Sequence, residues 1–179
     1  MEKTNDLISI EDRTIFLSGE INLQNATALA CELARINMLD LRAKQKNPDY
    51  ERTPIRLYIC SKGGNVGDMW YMVDSIMHSA TEVNTYCMGY ANNEAFLVFL
   101  AGEKRFISYH ASLTCDKGFY TEKPAEYGQL EIKEIKKYIY NRTMLEKDRI
   151  FLEGFGIYFS GSLHPEETAI NNGVIDGVL

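Results

Sequence analysis

Three cysteines, Cys60, Cys87 and Cys115, sit 27 and 28 residues apart, and with Cys31 they are the side chains best suited to redox or metal chemistry. A thiolate binds soft metals or exchanges disulfides, and both uses need partners held close, usually through short spacings. No pair here forms a CxxC motif, and the three histidines, His78, His110 and His164, lie far apart in sequence. The spacing therefore points to reduced, mostly buried thiols that serve as small strand residues, as expected for a cytoplasmic protein. No metal or cofactor is expected. What repeats is the setting: each periodic cysteine closes a short β-prone run that breaks at glycine, over residues 55–64, 83–91 and 111–118.

That period accommodates a strand, a turn, a helix and a return to the next parallel strand. The strand ends then share one edge of the fold, which is where open α/β proteins keep their clefts. Residues 13–17 read as the opening strand. A helix follows over 23–41, with Asn22 as N-cap and an apolar face built from Ala28, Leu29, Cys31, Leu33, Ile36 and Leu39. The charged stretch 42–54 reads as a loop. Strand 55–60 leads into the turn Ser61, Lys62, Gly63, Gly64, then a helix over 66–79 with Met69, Val73, Ile76 and Met77 inward. A second strand spans 83–88. The helix from about 92 to 101 is apolar almost all round, so it must be buried.

The third repeated strand covers 113–115. Residues 119–128 read as irregular, and a long charged helix runs over 129–151 to a break at Gly154 and Gly156. Its stripe of Ile132, Ile135 and Ile139, with Tyr138 and Tyr140, needs a cover, and a partner subunit is one source of it. A short helix starts near His164 and Pro165, and a last strand is placed at 174–176. Trp70, Tyr71 and Met72 read as core by default, with subunit contact as the alternative.

At 179 residues with 45% hydrophobic side chains, the chain is expected to form one domain. A net charge of −6, without a basic cluster, disfavours nucleic acid as partner. No apolar run is long enough to cross a bilayer, and the polar start does not read as a signal peptide.

These landmarks resemble the proteolytic subunit of the Clp protease, within the wider ClpP/crotonase fold. The opening strand resembles the family's in Ile15-Phe16-Leu17-Ser18-Gly19-Glu20-Ile21. The strand and glycine turn are similar in Leu57-Tyr58-Ile59-Cys60-Ser61-Lys62-Gly63-Gly64-Asn65-Val66, and the nucleophile elbow in Gly89-Tyr90-Ala91-Asn92-Asn93-Glu94-Ala95. Lys104-Arg105-Phe106, then Glu166-Glu167 and Gly173-Val174-Ile175-Asp176, complete a match from about residue 13 onward. The resemblance implies an α/β superhelix of repeated β-β-α turns, with a helical handle over about 117–153.

The family cleaves peptides with a serine, a histidine and an aspartate. Transferred onto this chain, those positions read Asn93, Asp116 and Gly161. An amide is a poor nucleophile, and a carboxylate with an unperturbed pKa of about 3.9 is a weak base for a hydroxyl. Losing nucleophile and base together removes the covalent route. By the same resemblance, Gly63 and Gly64 and the main-chain N–H of Glu94 are the oxyanion-like donors. Glu94 puts a carboxylate where the family carries an apolar side chain, and Asp116 adds another.

The resemblance thus implies an inactive subunit with a structural or regulatory role in a ring, heptameric and stacked in pairs within the family. It is expected to associate with itself or with an active Clp protease subunit. About a dozen residues precede the first core strand, which counts against docking of an unfoldase ATPase. Two alternatives stay open: a crotonase-type enzyme using Glu94 and Asp116 as acid and base on an acyl thioester, and a peptidase with a relocated triad around Ser112 and His110.

Overall fold

The computed structural model describes residues 7–10, 13–116, 126–145, 157–160 and 172–179, with the main chain alone for 7–10, 126–131 and 157–160. Strand β1 (Leu7–Ile10) pairs antiparallel with β2 (Thr14–Ser18), which runs parallel to β3 (Ile55–Ser61). Beyond β3 lies the long strand β4 (Val83–Asn92), also parallel. Its first half pairs with β5 (Arg105–Ile107), which in turn carries β8 (Gly177–Val178). Its last three residues pair instead with β6 (Ser112–Cys115), and β6 carries the antiparallel β7 (Ile157–Ser160). The eight-stranded sheet thus branches at β4.

The divergence has a local cause. Between Ile59↔Cys87 and Ser61↔Ala91 the register slips, so β4 carries two extra residues. Gly89 sits there at φ 97°, a conformation that disfavours any side chain, and a Cβ on it would lie 3.1 Å from the Cys60 sulfur. The bulge bends β4 and turns its end towards β6.

Strict alternation sends Ile15, Leu17, Ile55, Leu57, Ile59, Val83 and Cys87 into the core beneath helices α1 (Leu23–Lys46), α2 (Val66–Met77) and α3 (Glu94–Leu100). The opposite face carries Phe16, Tyr58, Tyr86 and Phe106, whose rings stack at 5.2, 4.8 and 5.1 Å across four strands. As expected, Asn22 caps α1 by accepting the Asn25 N–H at 3.0 Å. The helix runs to Lys46, beyond the expected end at 41, because Arg42, Ala43, Lys44, Gln45 and Lys46 are all strong helix formers. Asn47 then leaves the helical region because proline follows it.

Other expectations need correction: Met77, expected to face inward from α2, is exposed. The last strand is Gly177–Val178, whereas Val174 and Ile175 are buried in the core just before it. Most of the apolar stripe of α4 (Glu126–Arg142) is covered within the chain, although Tyr140 stays exposed. Ile135 and Ile139 are buried, Tyr138 donates to the Leu97 carbonyl at 3.2 Å, and Trp70 meets the Tyr138 ring edge-on. Tyr71, placed in the core, is exposed, whereas Met72 is fully buried. Arg142, at the end of α4, donates to the carbonyls of Leu100 and Gly102 and so caps α3 from outside. The break at Gly154 and Gly156 and the helix near His164 lie outside the described residues.

A buried polar knot fastens the far end of the sheet. Asp40 is fully buried and accepts from Arg13, from the Thr81 hydroxyl at 2.5 Å and from the Tyr50 hydroxyl at 2.6 Å. The hydrogen-bonded Arg13 guanidinium holds its carboxyl well below the usual carboxylate range, against the opposing effect of burial.

Candidate functional site

The glycine turn after β3 is stitched to the segment before α1. Ile21 N–H donates to the Gly63 carbonyl and Asn65 N–H to the Ile21 carbonyl, both at 2.9 Å. Gly64 lies so close to Ile21 that a Cβ on it would sit 2.2 Å from the Ile21 oxygen, so only glycine fits. Ser61 is fully buried beneath, donating to the Gly19 carbonyl at 2.6 Å and accepting the Gly63 N–H at 3.1 Å. Beside the turn a cavity of about 430 Å³ is lined by Gly19, Glu20, Lys62, Gly63, Gly64 and Tyr90.

Across from that turn, β4 passes directly into α3 through Asn93, whose φ of 51° and ψ of −112° are a strained combination for a residue with a side chain. A sharp, strained strand-to-helix turn is how a nucleophile elbow thrusts one side chain forward. Here the elbow presents an amide. The main chain is fixed by the Asn93 N–H donating to the Thr114 carbonyl at 2.8 Å. The side chain faces Asp116: its Oδ1 accepts the Asp116 main-chain N–H at 2.8 Å, and its Nδ2 lies 3.4 Å from Asp116 Oδ2.

Glu94, the next residue, turns back to the glycine turn. Its side chain is almost wholly buried, and Oε2 accepts the Gly64 N–H at 3.1 Å. A Cβ on Gly63 would lie 2.2 Å from the same oxygen and 3.3 Å from the Glu94 nitrogen. The turn's donor is therefore engaged by a carboxylate of the chain itself. A fixed negative charge there opposes the charge that an oxyanion must develop.

The structure brings Asn93 to Asp116, and Glu94 to Gly63 and Gly64. Gly161, with the neighbouring Ser162, lies outside the described residues, as does Lys117; Ser160 on β7 is paired with Ser112 in the sheet. Asp116 hydrogen-bonds Asn93, and the Glu94 contact with Gly64 was not foreseen. The signal for it was a charged residue following an elbow in an otherwise apolar helix. Asn92 leaves its Oδ1 buried without a partner.

Other centres considered from sequence gain nothing from the geometry. Among the described residues, no serine hydrogen-bonds a histidine; His110 is exposed with its ring edge-on to Tyr109, and His78 contacts the Asp74 carbonyl. None of the four cysteines forms a disulfide: Cys31 is exposed, Cys60 half-buried, Cys87 and Cys115 buried. Burial, with Cys60 nearby, pushes the Cys87 thiol up to about 12, which keeps it protonated and inert. The described residues hold no cluster of three metal-ligating side chains, and none of their helices is long and apolar enough to cross a membrane.

A largely parallel sheet that branches at its long strand β4, with a glycine turn facing an elbow at the strand ends, defines a ClpP-type fold. Solved structures agree. ClpP1 from Listeria monocytogenes superposes with a TM-score of 0.74 at 20% identity, covering 93% of this chain and 91% of that one. A point mutant of ClpP1 from the same organism gives 0.70 at 21% identity with the same coverage. In sequence, the Clp protease family profile matches residues 2–150. The ATP-dependent Clp protease proteolytic subunit 1 of Bacillus cereus is 32% identical over 99% of this chain and 91% of its own length. The chain belongs to the Clp protease family.

Proposed function

We propose that this chain is a catalytically inactive Clp-type subunit with a structural or regulatory role in a ring-shaped assembly. The observation that carries the reading is the Gly64 N–H donating to Glu94, because the donor needed for an acyl oxygen is held by an internal carboxylate. Asn93 and Asp116 at the nucleophile and base positions support it from the other side of the site. A hydroxyl and an imidazole would have to meet there; an amide and a carboxylate do.

In this reading the elbow, the glycine turn and the sheets persist as a scaffold, and self-association or mixing with an active Clp protease subunit is the means of action. Its four cysteines, none of them in a disulfide, suit the cytoplasm. Treatment with a serine-directed fluorophosphonate should leave the intact mass unchanged, and one covalent adduct per chain would refute the proposal. Native mass spectrometry, alone and with an active Clp protease subunit, should report rings containing this chain; a monomer in both samples would remove the assembly role.

A further inference from the structure

Asn93 carries a second consequence of its conformation. At ψ −112° the Cα–Cβ bond of Asn93 and the C–N bond to Glu94 are nearly eclipsed about Cα–C. A five-membered ring closing from the Glu94 nitrogen onto Asn93 Cγ requires that torsion. Asn22, Asn47 and Asn65 have ψ of 169°, 104° and 130°, which turn the following nitrogen away from their side chains. Only rotation about Cα–Cβ is then left for Asn93 to bring Cγ over that nitrogen.

Before that rotation the amide already stands beside groups that can serve the reaction. The Asp116 main-chain N–H donates to Oδ1 at 2.8 Å, where charge develops when the carbonyl is attacked. The Asp116 carboxylate lies 3.4 Å from Nδ2, the atom that must leave, and is placed to relay a proton to it.

We propose that Asn93 is a self-modification site that converts through a succinimide to aspartate and isoaspartate. The Glu94 main-chain nitrogen bonds to Asn93 Cγ while its proton passes by way of Asp116 to Nδ2. The Cγ–Nδ2 bond breaks and ammonia departs. Water then adds to either carbonyl of the imide, leaving a carboxylate at position 93 or routing the main chain through its Cβ. The net change is amide plus water to carboxylate plus ammonium, without oxidation or reduction. The product adds a negative charge beside Asp116, and in the isoaspartate form lengthens the elbow by one main-chain atom. This inference does not depend on the assembly role proposed above.

The test compares the intact folded protein with the same chain unfolded in urea, both incubated at neutral pH and followed by peptide mapping that separates aspartate from isoaspartate. Folding should accelerate conversion at Asn93 by about tenfold, a modest share of what fixed orientation of reacting groups supplies. Asn22 and Asn65 should be slowed by folding, and Asn47, whose following residue is a proline with no N–H to give up, should not convert by this route in either sample. Asn172, which precedes Gly173, serves as the positive control in the unfolded sample. Conversion at Asn93 that is no faster folded than unfolded overturns the proposal, and so does aspartate formed there without isoaspartate.

Discussion

The main-chain N–H of Gly64 and the carboxylate of Glu94 face each other across 3.1 Å, joining the turn after β3 to the first residue of α3. The contact fills the site and ties two elements together, so it has separable effects on stability and on chemistry.

For stability, Glu94→Ala removes a charge-assisted hydrogen bond and should cost about 2 kcal/mol. In a chain of this length that lowers Tm by roughly 6 °C. Glu94→Gln keeps an acceptor and should lose less than half as much. Thermal melts that are equal for the two variants would show that the oxygen acceptor contributes nothing.

For chemistry, the double variant Asn93→Ser with Asp116→His should remain unlabelled by a fluorophosphonate, because Glu94 still holds the Gly64 donor. Adding Glu94→Ala should permit slow labelling at position 93, read by intact mass. Equal labelling of the double and triple variants would mean that the carboxylate is no barrier.

The knot at Asp40 predicts an acid sensitivity. Its folded-state pKa is depressed by Arg13, so its contribution is fully present above the unfolded value of about 3.9 and is lost as pH falls through the folded value. Asp40→Ala strands Arg13 and should cost about 3 kcal/mol near neutrality. Its stability curve should also be flatter than wild type below about pH 4. Urea titrations across pH would show this; parallel acid limbs would contradict it.

Two glycines offer a paired control. Gly64→Ala drives a Cβ to 2.2 Å from the Ile21 oxygen, a main-chain atom that cannot step aside, and should cost about 3 kcal/mol. Gly67→Ala, within α2, meets only the Asn65 side-chain oxygen at 3.2 Å, and higher helix propensity should leave it within about 1 kcal/mol of wild type. Similar urea midpoints for both would rule out the close approach at Gly64.

Much of this was legible because period and punctuation are local. The glycine turn, the Asn22 cap and the buried apolar helix announce themselves within a few residues. Counting from landmarks put Asn93 and Asp116 at one place, and the main chain brings them into hydrogen-bonding contact. The rest depended on long-range partners. No local signal says that Arg13 will meet Asp40, that Phe16, Tyr58, Tyr86 and Phe106 will stack, or that Tyr138 finds its cover in Leu97 and Trp70. Charge misled at residues 42–46, where straight-chain side chains prolong α1.

The bend of β4 at Gly89 has a consequence for how such a protein changes. The elbow, the turn and their separation are dictated by main-chain pairing in both branches of the sheet, so the chemical groups mounted on them are replaceable fittings. Substitution at positions 93, 94 and 116 can rewrite what the cleft does while the framework keeps its shape, whereas adding or removing one residue between Cys87 and Ala91 would throw the two branches out of step.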